Sequence, residues 1–188
     1  MVILVDGSNL FLSSKRLGKN VWPPDLARLL LPHIEGDLDQ IHSIYYFTSV
    51  DRRNQAQRRA LNHMAKSGVI VHDFDLKDYS GRKKCAKCNR TCEECGRDLR
   101  KKPHKEKMVD IALATKAIEL AYQDDPHCDT FVIVSGDKDL IPAIRLLRER
   151  LGKAVIIAGF RHVEPEFNSL AYELDKEVDG MINLCSLV

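Results

Sequence analysis

The chain has 188 residues, 44% hydrophobic and 30% charged, with a formal net charge of +2. This composition is typical of a globular protein with one sizeable core, so a single domain over residues 1–188 is expected. The first apolar run is too short for a secretory signal, and no later run approaches the roughly 20 apolar residues that cross a bilayer. We therefore expect a cytoplasmic protein with no membrane association.

The predicted strands are short runs of apolar, β-branched and aromatic residues that end at turn residues. In chain order they are Val2–Val5, Ile41–Thr48, Val69–Phe74, Phe131–Val134, Ala154–Ile157 and Met181–Leu184. After the first strand, Asp6-Gly7-Ser8-Asn9 predicts a tight turn.

Segments with apolar residues at helical spacing separate most of these strands. One helix is predicted to start after Pro23-Pro24-Asp25, and the others are Arg52–Lys66, Met108–Tyr122, Leu140–Leu151 and Phe167–Asp175. Alternating strands and helices indicate an α/β fold with a mostly parallel central sheet that helices cover on both faces.

Aspartates follow two of the predicted strands. Asp6 comes directly after the first, and Asp137 and Asp139 come after the fourth. In an open parallel sheet the active crevice lies beyond the carboxyl ends of the strands, where the strand order reverses. If these two strands are neighbours, their carboxylates converge there, and Asp110 in the first turn of the predicted helix Met108–Tyr122 is a fourth candidate.

Carboxylates held close together repel one another unless a cation neutralises them. Mg²⁺ or Mn²⁺ suits an all-oxygen site, where it can polarise a phosphodiester and activate a water. The alternative is that each aspartate only caps a helix or bonds a turn, but two acids spaced i, i+2 together with Asp6 favour the metal site.

Three motifs in order resemble a known family. They are VDGSN at Val5–Asn9, EKMVDIALA at Glu106–Ala114 and VSGDKDLIPAIRLLRERLGKAV at Val134–Val155. The chain resembles the NYN domains, of the LabA-like branch, within the PIN-like nuclease superfamily, and Asp179 near the end also fits. One departure is Met108, where many relatives carry Gly.

The resemblance implies a Rossmann-like three-layer α/β/α fold and a metal-dependent endoribonuclease that uses Mg²⁺ or Mn²⁺ to cut single-stranded RNA. The acids that it implies as catalytic and metal-binding residues are Asp6, Asp110, Asp137 and Asp139. The supporting polar residues, which orient the acids or a phosphate, are Asn9 and Ser135.

Four of the six cysteines lie within eleven residues, as Cys85, Cys88, Cys92 and Cys95. Four thiolates are the number that a tetrahedral structural Zn²⁺ needs, and a reducing cytosol favours a metal site over disulfides. The short spacing between the two pairs leaves an iron–sulfur cluster, disulfides or unligated thiols as alternatives. Cys128 and Cys185 are expected to be buried apolar residues.

Positive charge is concentrated around these cysteines. Residues 82–107 contain 11 Lys and Arg and 4 Asp and Glu, a balance of +7, whereas the rest of the chain is acidic. We expect residues 80–105 to form a zinc-binding insertion that overhangs the crevice and contacts phosphates; the alternative is a solvated loop. The candidate contacts are Arg82, Lys83, Lys84, Lys87, Arg90, Arg97, Arg100, Lys101 and Lys102. Basic residues at 52–59 either extend this path or face water.

Other functions stay open on the sequence alone. A nucleic-acid-binding module without activity would keep the basic insertion and use the aspartates only for structure. The same chemistry on DNA is a second alternative, because a contact to the 2′-hydroxyl needs only an ordinary polar side chain. A nucleotide-binding enzyme is disfavoured, since no glycine-rich phosphate loop is present. The oligomeric state, a homodimer included, is not determined.

Overall fold

The computed structural model of the protein describes residues 1–34, 41–76, 108–123, 128–162, 164 and 169–187. The strands within these ranges are β1 (Val2–Asp6), β2 (Ser43–Val50), β3 (Ile70–Asp75), β4 (Thr130–Val134), β5 (Ala154–Gly159) and β6 (Gly180–Asn183). The α-helices are α1 (Gly7–Arg16), α2 (Leu26–Leu30), α3 (Gln55–Lys66), α4 (Val109–Tyr122) and α5 (Ile141–Arg145).

The six strands form one sheet in the order β3-β2-β1-β4-β5-β6, and every neighbouring pair is parallel. The first three strands extend the sheet in one direction and the last three extend it in the other, so the order reverses between β1 and β4. This is the doubly wound arrangement that places ligands at the reversal point. The expectation that the first and fourth strands are neighbours is confirmed.

Helices cover both faces of the sheet, because side chains along a strand point alternately to opposite faces. Val2 and Leu4 of β1 belong to a core that includes residues of α4 and α5. Ile3 and Val5 belong to a second core that includes residues of α1, α2 and α3. The predicted three-layer α/β/α fold is therefore confirmed. Among the described residues, no helix is both long and apolar enough to span a bilayer.

The helices differ from the sequence prediction in three places. The tight turn predicted after β1 is the start of α1, which the sequence analysis missed. The helix predicted at Phe167–Asp175 is wrong, since only Tyr172–Lys176 forms a short 3-10 turn and residues 165–168 lie outside the described ranges. The helix predicted at Leu140–Leu151 is confirmed in position, although it begins with a 3-10 turn and continues beyond α5 as a π-helical stretch, Leu146–Arg150.

The β5–β6 flank of the sheet is held by arginine–carboxylate pairs. Arg148 forms a two-pronged pair with Asp179, whose carboxylate also accepts a hydrogen bond from the Val155 backbone N–H at 2.8 Å. The guanidinium of Arg148 holds the pKa of Asp179 below its ordinary value of 3.8. Arg145 pairs with Glu177 in the same way. Asp179, part of the family resemblance, thus has a structural role here.

Candidate active site

Asp6 ends β1 and caps the N-terminus of α1. Its Oδ1 accepts hydrogen bonds from the backbone N–H groups of Ser8 at 3.1 Å and Asn9 at 3.0 Å. Donors at the first turn of a helix, together with the helix dipole, favour the ionised carboxylate. Asp6 is only 6% exposed, so the cap fixes a buried carboxylate at the carboxyl edge of the sheet.

Ser135 links Asp6 to Asp137 across the reversal of strand order. Val5 lies opposite Val134, so the next residues along β1 and β4, Asp6 and Ser135, stand side by side. Ser135 Oγ donates to Asp6 Oδ2 at 3.1 Å and accepts from the Asp137 backbone N–H at 3.3 Å. A serine that is 1% exposed therefore connects the two acids.

Asp137 also caps the turn that follows it. Its Oδ1 accepts from the Asp139 backbone N–H at 2.9 Å, while Asp139 itself is exposed. The capping role weighed in the sequence analysis is thus present at both Asp6 and Asp137. Each cap uses Oδ1 of the carboxylate. The other oxygen of Asp137, Oδ2, accepts no hydrogen bond from any described residue.

Two glycines allow backbone and rings to pack tightly around these acids. A Cβ on Gly7 would lie 2.5 Å from the Tyr46 ring, and a Cβ on Gly136 would lie 1.6 Å from the Ser169 carbonyl oxygen. The Ala171 N–H donates to the Gly136 carbonyl at 3.1 Å, so the segment before β6 lies directly against the Asp137 loop. Neither position tolerates a larger residue without displacement of its neighbours.

Asp110, the next candidate acid, lies on a separate element. It is exposed in the first turn of α4, a helix that packs against β1, β2 and the turn at Lys138–Leu140. Met108 precedes the helix with a φ of 79°, the one positive φ among described residues other than glycine. This left-handed conformation explains why glycine suits the position in relatives.

The structure thus connects two of the four candidate acids through Ser135 Oγ, which bonds the Asp6 carboxylate and the Asp137 backbone N–H. Within the described ranges, no three His, Cys, Asp or Glu side chains lie close enough to hold one metal ion together. The oxygen donors of this pair fit Mg²⁺ or Mn²⁺, because such ions keep several waters and need only one or two protein carboxylates. Donor chemistry at this edge is therefore suitable for a hydrated divalent cation.

The predicted zinc site and basic insertion lie outside the described residues, which omit 77–107. The second basic stretch is only partly available to a substrate. Arg52 forms ion pairs with Asp73 and Asp75, and Arg53 pairs with Asp51 at 3.0 Å. Of the two lone cysteines, Cys128 is buried as expected and Cys185 is half-buried, where burial raises the pKa of its thiol.

A groove of about 820 Å³ lies next to the acids, and sequence reasoning missed it. Its wall is formed by α1, which the sequence analysis took for a turn, and its near end is lined by Gly7 and Ser8. Phe11 and Leu12 on this helix are 60% and 51% exposed. Two adjacent apolar residues set among polar ones were the sequence feature that could have indicated this groove.

Comparisons with known proteins agree with this architecture. The sequence profile of the NYN domain matches residues 1–185. The chain belongs to the NYN domain family. That family lies within the PIN-like nuclease superfamily, whose members typically use Mg²⁺ or Mn²⁺.

Two relatives illustrate how far the similarity of this NYN domain extends. An uncharacterized protein of Methanocaldococcus jannaschii is 43% identical over 61 residues, which are 32% of this chain and 23% of that protein. The crystal structure of a protein of unknown function from Vibrio parahaemolyticus has a TM-score of 0.61 at 20% identity, covering 97% of this chain and 91% of the other. The second comparison supports the fold alone.

Proposed function

We propose that this NYN domain is a metal-dependent endonuclease that hydrolyses single-stranded RNA. The observation that carries the proposal is the Asp6–Ser135–Asp137 connection at the reversal of strand order in a member of a nuclease superfamily. Carboxylates at this position of a doubly wound sheet face the crevice in which ligands bind.

Each residue has a role that its contacts support. Asp6 and Asp137 would hold the cation through carboxylate oxygens, with Ser135 orienting Asp6 and the backbone N–H of Asn9 fixing its other oxygen. For Asp110 and Asp139 we propose that they bind waters of the cation or accept a proton from the attacking water. Hydrolysis joins the water oxygen to phosphorus and releases one sugar oxygen as a hydroxyl.

Bound Mg²⁺ or Mn²⁺ would polarise the phosphodiester and lower the pKa of the attacking water. No protein nucleophile is needed for this reaction, and among described residues the two lone cysteines, Cys128 and Cys185, are buried or half-buried away from the acids. The chemistry therefore depends on the acids and on their positioning by Ser135.

Residues 80–105 are proposed to bind Zn²⁺ through Cys85, Cys88, Cys92 and Cys95 and RNA phosphates through their nine candidate basic contacts. The support is the spacing of the thiols and the local charge of +7. Reduced thiols suit the cytoplasm, where we place the protein. We also assign the chain to the LabA-like branch, on the motifs described above.

The test of the main proposal is cleavage of matched labelled single-stranded RNA and DNA with Mn²⁺, Mg²⁺ or a chelator. RNA should be cut internally with either metal, and the chelator should stop the reaction. Asp137→Asn, purified in parallel, controls for contaminating nucleases. Binding without cleavage in any metal would contradict the proposal, and equal cleavage of DNA would contradict the RNA preference.

The zinc proposal has its own test, which is the metal content of the purified protein. The chain should carry one equivalent of zinc, and a Cys88→Ser, Cys92→Ser double variant should lose it. A Cys128→Ser variant is the matched control, because Cys128 is buried in the sheet core. Unchanged zinc in the double variant, or iron in its place, would overturn the assignment.

A further inference from the structure

The groove that begins beside Asp6 is lined by apolar and aromatic side chains and by two lysines. Gly7 and Ser8 at its near end directly follow Asp6, and Trp22 lies on its wall. We propose that this groove binds the single-stranded nucleotides next to the scissile phosphate, with a base stacked on Phe11 and phosphates at Lys15 and Lys19. The proposal rests on the nuclease function and adds the route of the substrate.

The positive charge of the groove is the first argument that it binds nucleic acid. Among the described residues that line the groove, Lys15 and Lys19 are cationic and none carries a carboxylate. Both lysines are exposed, and neither forms an ion pair with a described residue. A polyanion is therefore the charge-complementary ligand.

Aromatic exposure is the second argument. Phe11 is 60% exposed on the second turn of α1, with Lys15 Nζ 5.8 Å from its ring centroid. An exposed aromatic ring beside a cation is the arrangement on which unpaired bases stack in single-stranded nucleic acid sites. Bases within a duplex are already stacked, so this surface selects single strands.

Size and polar groups also agree with the proposal. A volume of about 820 Å³ falls within the usual range of ligand sites. The exposed side chains of Asn20, after α1, and Asn54, before α3, line the groove. Such side chains can bond base edges or ribose hydroxyls without selecting one sequence.

The single tryptophan, Trp22, makes the groove directly observable. We would titrate the full-length Asp137→Asn protein, which should not cut, with a uridylate RNA hexamer and follow Trp22 fluorescence. Saturable quenching is expected, with a weaker response to a duplex of the same length. Phe11→Ala should weaken binding about tenfold, whereas Phe11→Tyr should preserve it.

Matched controls separate groove contacts from general effects. Tyr122→Ala removes an aromatic ring that is 66% exposed at the end of α4, and it should leave binding within twofold. Lys15→Gln should reduce the salt dependence of binding by about 0.7 in the log–log slope, and Lys66→Gln on α3 should not. Phe11 is exposed enough that its variants should fold, and circular dichroism checks this.

The outcomes distinguish this proposal from the nuclease proposal. One outcome is that RNA quenches Trp22 fluorescence and Phe11→Ala weakens this binding, while the wild type cleaves RNA in no metal. This outcome supports the groove proposal and overturns the nuclease proposal. Metal-dependent cleavage with no Trp22 response and no effect of Phe11→Ala on KM overturns the groove alone. A change of oligomeric state in Phe11→Ala with unaltered RNA binding would assign the groove to protein contacts and also overturn the proposal.

Discussion

Carboxylates in two regions of the sheet have different partners. On the β5–β6 flank, Asp179 is neutralised by the guanidinium of Arg148. At the reversal of strand order, Asp6 accepts hydrogen bonds from two backbone N–H groups and from Ser135 Oγ. Asp137 there forms no ion pair with any described lysine or arginine. The flank therefore uses fixed cations for stability, whereas the Asp137 carboxylate, without such a partner among the described residues, suits an exchangeable cation.

The close packing at the reversal point can be broken at Gly136. Gly136→Ala should lower the free energy of unfolding by about 3 kcal/mol or more, because its Cβ would meet the Ser169 carbonyl oxygen. Urea unfolding measures this loss. Gly180→Ala is the control, since its Cβ would make an ordinary 3.5 Å contact with Ile156. Equal stability of the two variants would contradict the packing described for the Asp137 loop.

Removal of the Ser135 hydroxyl tests whether this donor stabilises Asp6 and positions it for cleavage. Ser135→Ala leaves Asp6 Oδ2 without this donor, which should cost about 1–3 kcal/mol of stability and slow RNA cleavage about 10- to 100-fold. Unfolding and single-turnover cleavage are the two measurements.

Ser13→Ala controls for the loss of a buried serine elsewhere, because Ser13 is 2% exposed within α1. It should change stability by less than about 1 kcal/mol, because alanine is the better helix former, and it should leave cleavage unaltered. If Ser135→Ala cleaved RNA as fast as Ser13→Ala, Ser135 would not position Asp6 for the reaction.

Backbone strain at the start of α4 leads to a smaller predicted change, in which a substitution raises the stability of the protein. Met108 has a φ of 79° and is 58% exposed, so Met108→Gly removes a conformational cost with little loss of packing. The unfolding free energy should rise by up to about 1 kcal/mol. Met108→Ala keeps the β-carbon and should bring no gain. A rise of the same size in both variants would show that the backbone conformation is not the cause.

The flank is expected to produce the smallest effect, which depends on pH. Because Arg148 lowers the pKa of Asp179 in the folded state, the pair contributes stability above the ordinary value of 3.8. This contribution disappears as pH falls through the lower folded pKa. Asp179→Asn should therefore lose stability less steeply than wild type below pH 3.8 in thermal melts. If the stabilities of the two proteins fell in parallel as the pH decreased, the stabilising role assigned to this pair would be contradicted.

The sequence was sufficient for the sheet and for the proximity of two candidate acids, because strands buried on both faces appear as continuous apolar runs. Asp6 and Asp137 follow β1 and β4 directly, so the pairing of those strands fixes their proximity. It was insufficient for α1, because Gly7, Ser8 and Asn9 have low intrinsic helix propensity. The Asp6 cap and packing of Leu10 against the sheet overcome that preference. The groove was missed for the same reason, since its wall is α1.

The helix prediction for the segment before β6 was wrong for a related reason. Apolar residues at Phe167–Asp175 suggested a helix, but Ser169 and Ala171 bond to Phe160 and Gly136 instead. These tertiary hydrogen bonds cannot be read from local periodicity. Contacts between the Asp137 loop and this segment therefore required the structure.

The most direct test of the central claim is the single-turnover rate of RNA cleavage by Asp6→Asn with Mn²⁺. Asparagine also caps helices, so the variant should keep α1 and lose only the charge. We predict a fall of about a thousandfold, equivalent to about 4 kcal/mol, whereas Asp25→Asn at the half-buried start of α2 should cut within twofold of wild type. Undiminished cleavage by Asp6→Asn would contradict the assignment of the acids at the reversal point as the cutting site.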